Sequence, residues 1–171
     1  MKQLILFFSF LLLYNCKQNN LPEPTVISFE NQKLLKRYNW DLLDASTSSY
    51  NMLIYDRNIV FIQFVDVNDK RTIENFDVLQ KFYDDYKTKI EFIIAVDSKY
   101  QTKVKKLVKD NNYTFPYSFP LSPFPNGKIN KDSLPHTFVV SKKARIVSET
   151  KGLANWDSKN FRKLIDGLIK Q

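Results

Sequence analysis

The residues able to do chemistry are few. The chain holds one cysteine, Cys16, and one histidine, His136. A thiolate zinc cluster cannot be built from that pair, and a disulfide needs a second cysteine. The ordinary pKa of an imidazole suits acid–base work, but no nucleophile stands near His136 in sequence, and a lone histidine at a strand start reads as structural. Asp66-Val67-Asn68-Asp69 opens like a calcium loop. Lys70 then replaces the next ligand and Arg71 takes the place of the obligatory glycine, so no metal is expected there. Asp84-Asp85 are adjacent on a helical stretch and point about 100° apart, which leaves them as solvated charge rather than a carboxylate pair. With only 3 Gly, a Gly-rich phosphate cradle is excluded, and no cofactor is expected.

The elements that must position these residues follow from hydrophobic spacing. At 171 residues and 43% hydrophobic, the chain suits one domain with a full core and is not a disordered composition. Ile59–Val65 and Ile90–Val96 are short, nearly continuous apolar runs, as in buried central strands. Between them Ile73, Phe76, Leu79, Tyr83 and Tyr86 recur at three- and four-residue steps, which predicts an amphipathic helix over 71–88. A second helix is expected over 100–111. Pro116, Pro120, Pro123 and Pro125 then argue against regular structure. Thr137–Val140 and Arg145–Thr150 read as strands joined by the turn Ser141–Ala144. The spacing of Phe161, Leu164, Ile165, Leu168 and Ile169 predicts a closing helix from Ser158, with Asp157 as its N-cap. Strand–helix–strand order requires parallel pairing with helices over both faces, and the closing hairpin adds antiparallel strands. The fold class is therefore α/β with a central mixed sheet flanked by helices. Residues 25–57 admit two readings, an extra edge hairpin or a helix carrying Leu34, Leu35, Tyr38 and Leu42. Val26–Phe29 is a further candidate strand.

The first sixteen residues speak to location. Met1-Lys2-Gln3 is a short positive start, and Leu4–Leu13 run almost unbroken in Leu, Ile and Phe. Ten apolar residues make a helix of about 15 Å, half the roughly 30 Å hydrocarbon core, so the run is too short to span a bilayer. It has the proportions of a signal-peptide apolar region. Leu13-Tyr14-Asn15-Cys16 follows, with Leu13 three residues before the cysteine. This resembles a bacterial lipoprotein signal, whose cysteine is acylated and becomes the first residue of the mature chain; Tyr14 and Asn15 stand where that pattern prefers small residues. The resemblance implies a signal peptide over 1–15, lipid attachment and membrane contact through Cys16, and a domain facing the bacterial cell envelope. Residues 16–25 are polar and proline-punctuated and read as a flexible tether. The formal charge of +8 then meets anionic phospholipid head groups or an acidic partner rather than nucleic acid.

The order of elements from residue 58 is that of the thioredoxin fold, and residues 58–171 resemble its membrane-associated TlpA-like branch. Ile59–Val65 followed by Leu79-Gln80-Lys81-Phe82-Tyr83 is similar to the family's first strand, active-site turn and helix. Leu134-Pro135-His136-Thr137 resembles the segment holding its cis-proline. Arg145-Ile146-Val147 and Gly152-Leu153-Ala154-Asn155-Trp156 resemble its last strand and the lead into the final helix. Residues 26–57 would then be an N-terminal extension of the domain.

Aligned without gaps, the family's Cys-x-x-Cys falls on Asp69-Lys70-Arg71-Thr72. Thiol–disulfide exchange proceeds through a thiolate and a mixed disulfide, which neither Asp69 nor Thr72 can form. The resemblance thus implies a redox-inactive relative that keeps a peptide-docking platform at Leu134 and Pro135, facing Asp69–Thr72, with an envelope protein or peptide as partner. The alternative is an enzyme using non-cysteine chemistry in the same cleft, with Asp69 or His136 as acid or base.

Overall fold

A computed structural model describes residues 21–35, 41–121 and 133–171. The signal segment, Cys16 and the first part of the expected tether lie outside these residues, as do Pro123 and Pro125. The strands are β1 (Asp41–Leu43), β2 (Ser49–Asn51), β3 (Val60–Val65), β4 (Glu91–Val96), β5 (Tyr117–Pro120), β6 (His136–Val140) and β7 (Ile146–Lys151). The helices are α1 (Lys70–Glu74), α2 (Phe76–Tyr86), α3 (Gln101–Asp110) and α4 (Lys159–Ile169). The strands form one mixed sheet in the order β2-β1-β5-β4-β3-β6-β7. β3, β4 and β5 are parallel, and every other pairing is antiparallel.

The apolar runs read from the sequence become the sheet's centre. All six residues of β3 are buried between β4 and β6. The chain steps from β3 to β4 through α1 and α2, and from β4 to β5 through α3, both times in the same direction. Right-handed crossovers in one direction put their helices on one side of a sheet. Accordingly Phe76, Leu79 and Phe82 of α2, Val104 of α3 and Phe161 and Ile165 of α4 join a single cluster with Phe61, Phe92, Ile94 and Val139. By strand alternation, Val60, Ile62, Phe64, Ile93, Phe138 and Val140 face the other way. Their cover among the described residues comes from Leu35, Leu42, Ile27, Tyr50, Met52 and Tyr55. Helix was expected over both faces; on this one the described cover comes from within residues 27–55.

Several sequence expectations are corrected. The open choice over 25–57 resolves as the hairpin β1–β2, its turn tied by the Asp44 carboxylate accepting from the Ser46 and Ser48 amides at 2.8 and 2.9 Å. The helical reading of Leu34 to Leu42 fails because Leu34 bridges Arg145 and Leu42 pairs with Tyr50; Tyr38 lies outside the described residues. Val26–Phe29 makes only an isolated bridge, Val26 to Ser148. The proline-rich stretch does contain a strand. Pro116 precedes β5 and Pro120 ends it, so neither proline removes a ladder donor from its middle. The helix expected over 71–88 is divided at Asn75, whose amide is shared between the carbonyls of Arg71 and Thr72 at 3.1 and 3.2 Å. The cap of α4 is Ser158, whose hydroxyl accepts from the Phe161 amide at 3.4 Å, because Lys81 and Arg162 hold the Asp157 carboxylate elsewhere.

Residues 21–25, expected as the end of the tether, are seated on the domain. Leu21 packs against the helix-side core. The Pro22 carbonyl accepts from the Asn155 amide at 2.8 Å, and the Thr25 amide donates to Thr150 Oγ1 at 2.9 Å.

Candidate functional site

The site is built where β3 ends. Asp66 Oδ1 accepts from the Asn68 amide at 2.8 Å, and the Asp69 amide donates back to the Asp66 carbonyl at 3.1 Å, which folds 66–69 into a tight turn. Asp69 caps α1: its Oδ1 accepts from the Arg71 amide at 2.9 Å. The Arg71 guanidinium also bonds the same carboxylate, Nε to Oδ1 at 3.2 Å and an Nη to Oδ2 at 2.8 Å. These hydrogen bonds from Arg71 hold the Asp69 carboxyl below the ordinary carboxylate range. Lys103 of α3 reaches across to donate to Asn68 Oδ1 at 2.6 Å.

Thr72 stands three residues further on and is 1% exposed. Among the described residues its Oγ1 has no hydrogen-bond partner, nor has Asn75 Oδ1 one turn later. A buried hydroxyl without a partner is disfavoured. A thiol at that position would carry a weaker hydrogen-bonding demand.

β6 begins beside this turn. Phe64 pairs with His136 in register, so Pro135, one residue earlier, lies level with the end of β3. The Leu134–Pro135 peptide is cis. The Pro135 carbonyl accepts from the Gly152 amide at 2.7 Å. Gly152 has φ +86°, a left-handed conformation that glycine adopts without steric cost. Leu134 is half-buried, and its carbonyl has no hydrogen-bond partner among the described residues. Topology thus brings the turn 66–72 and the segment 134–136 to the same end of the sheet.

His136 is buried and its ring lies over Phe138 with centroids 4.4 Å apart. Nε2 stands 3.1 Å from Glu149 Oε1. Burial outweighs the carboxylate and pushes the imidazole pKa below its ordinary value. A side chain held this way is a packing element, and the acid–base role gains nothing from its surroundings. Asp69 is likewise committed to its cap and to Arg71.

One polar feature was missed in the sequence. Gln63 is buried in the middle of β3, on the helix-covered face, and its Nε2 donates to Thr137 Oγ1 at 2.9 Å. An amide inside the run Ile59–Val65 was the available signal. At the far end of the sheet, an open groove of about 730 Å³ is lined by Tyr50, Tyr55, Tyr83, Tyr113 and Tyr117.

No protein-family model and no curated protein matches the sequence. Solved structures do match. A secreted thiol-disulfide isomerase from Corynebacterium glutamicum superposes with a TM-score of 0.67 at 13% identity, covering 85% of this chain and 91% of that one. A DsbF homologue from Corynebacterium diphtheriae gives 0.65 at 19% identity, covering 84% and 91%. An exposed lipoprotein thioredoxin from Streptococcus pneumoniae gives 0.59 at 14%, covering 77% and 100%. The protein has a thioredoxin-like fold, a mixed sheet flanked by helices, of the kind seen in thiol-disulfide oxidoreductases. With one cysteine in the whole chain, it has no pair of thiols to cycle.

Proposed function

We propose that this protein is a TlpA-like, lipid-anchored component of the bacterial cell envelope that binds an extended protein or peptide segment and performs no thiol chemistry. The anchor is an acylated Cys16, and the domain faces the periplasm or the cell surface. The observation that carries the binding role is the main chain of the Leu134–Pro135 segment, which strand register sets beside a capped turn that holds no thiol. An extended segment satisfies such main-chain groups by strand-like pairing, and this mode of docking needs no cysteine. Among the fold neighbours, an exposed pneumococcal lipoprotein supports the anchored reading by analogy.

The test is photocrosslinking in cells from position 69, followed by mass spectrometry. One recurrent envelope protein is expected, lost when Leu134→Pro distorts the docking segment. No capture above background overturns the binding role. The anchor is tested separately by incorporation of labelled fatty acid, which Cys16→Ser must abolish.

A further inference from the structure

The described residues expose five large hydrophobic side chains, and three of them, Val26, Phe29 and Leu34, sit in the segment that follows Cys16. That segment runs antiparallel along β7. Ile27 donates to the Val147 carbonyl at 2.9 Å, Ile146 to the Lys33 carbonyl at 2.9 Å, and Leu35 to the Ala144 carbonyl at 2.7 Å. Phe29 is 73% exposed and carries the Arg145 guanidinium 5.4 Å above its ring, while Leu34 bridges Arg145 in the ladder. The same edge presents Lys33, and Lys143 from the turn before β7, while the neighbouring Lys142 donates to the Ile169 carbonyl at 3.0 Å. Against these cations, Glu30 is the one carboxylate within residues 26–35 and 141–146.

Chain length adds a constraint. Cys16 stands five positions before Leu21, which is packed on the core. Whatever its conformation, that span reaches at most about 18 Å. A domain of this size has a radius of gyration of about 15 Å. A lipid on Cys16 therefore keeps the domain close to the bilayer, and the chain leads from Leu21 and Pro22, seated beside Asn155, directly onto the β7 edge.

We propose that this edge, formed by Val26, Phe29, Lys33, Leu34, Lys143 and Arg145, is a membrane-docking face for a bilayer containing anionic phospholipid. It rests on the reading of Cys16 as the lipid anchor. Exposed apolar side chains enter the head-group region while cations pair with lipid phosphates, the combination that holds interfacial segments on membranes. Docking fixes the domain's orientation, with β1 and β2 at the sheet edge remote from the bilayer.

The test uses a chain beginning at Lys17 with Cys16 removed, which keeps every element described above and carries no lipid. Its partition onto phosphatidylcholine vesicles is measured by flotation, with and without phosphatidylglycerol. Salt-sensitive binding is expected only with phosphatidylglycerol. Lys143→Glu with Arg145→Glu should lower it at least about 25-fold, at roughly fivefold for each charge lost near the surface. Phe29→Ser with Leu34→Ser should lower it several-fold. Lys105→Glu with Lys109→Glu, on α3 away from this edge, should leave the edge contribution intact. No binding to phosphatidylglycerol vesicles overturns the proposal, and so does a loss from the α3 pair as large as that from the β7 pair, which would reduce the effect to net charge. Because the chain tested is unlipidated, failure here leaves acylation of Cys16 standing, and failure of acylation leaves the vesicle result readable.

Discussion

The two faces of the sheet are built by different means. One is covered by helices and is rich in aromatic contacts: Phe61 lies 5.4 Å from Phe82, 5.4 Å from Phe92 and 5.2 Å from Trp156. The other is aliphatic at its centre, with Val60, Ile62, Ile93 and Val140, and is covered by the extension rather than by a described helix. Stability on the first face comes from regular elements whose apolar stripes are visible in sequence. On the second it depends on a segment with little regular structure, held by ladder bonds to β7 and by the hairpin at the other edge. A domain boundary drawn at residue 58 would cut through a layer of the core.

The most severe way to break this comparison is to remove the second layer. A chain starting at residue 58 should not fold cooperatively, because it strips the extension from Val60, Ile62, Phe64 and Phe138. Loss of the near-ultraviolet circular dichroism signal, with dye binding to exposed apolar surface, is the expected readout. A cooperative transition in that chain would make the extension an accessory. On the helix side, Phe61→Ala should cost about 3–5 kcal/mol, a melting temperature lower by roughly 6–20 °C for a domain of this length. On the extension side, Leu42→Ala, fully buried, should cost about 2–5 kcal/mol. A loss under about 1 kcal/mol, the scale of exposed substitutions, would show that face to be loosely held.

The turn offers a finer test. Thr72 Oγ1 is buried without a partner, so Thr72→Val should be neutral or stabilising by up to about 1–2 kcal/mol in denaturant titration. Destabilisation instead would mean that the hydroxyl has found an acceptor. The smallest expected effect is on pH dependence. His136 has its folded-state pKa below the ordinary value because of burial, so the unfolded chain binds more protons in the window below about 6.5. The stability contributed by the neutral ring is complete above that value and is lost as pH falls toward the folded-state pKa. His136→Gln should therefore reduce the difference between denaturation midpoints measured at pH 7.5 and pH 5.5.

Legibility in the sequence followed the same division. The helix-covered face was readable because Phe76, Leu79, Phe82, Phe161 and Ile165 repeat at helical steps and β3 and β4 are unbroken apolar runs. β1 and β2 have three residues each, too few for a period of two to be told from chance. The spacing of Leu34 and Leu42 looked helical although both pair as extended chain. β5 was hidden because prolines bracket it, and proline was read as a breaker rather than as a strand end. At the site, Leu134, Pro135, Asp69 and Thr72 were reached through resemblance, and strand register brings their segments to one end of the sheet. Gln63 was passed over because its partner Thr137 is 74 residues away, a separation that no local pattern reveals. The choice between Asp157 and Ser158 as cap turned on Lys81 and Arg162, again distant contacts.

The bonds from Thr25 to Thr150 and from Ser148 to Thr25 span 125 and 123 residues. Contacts between opposite ends of a chain close late, since the loop between them must first be ordered. During synthesis, the start of the domain therefore waits for its last strand, and until then the aliphatic side of the sheet lacks part of its cover. Such an interval is when an emerging chain is open to holdase chaperones and to proteases. Residence of this protein in the cell is thus set in part by how quickly its two ends meet.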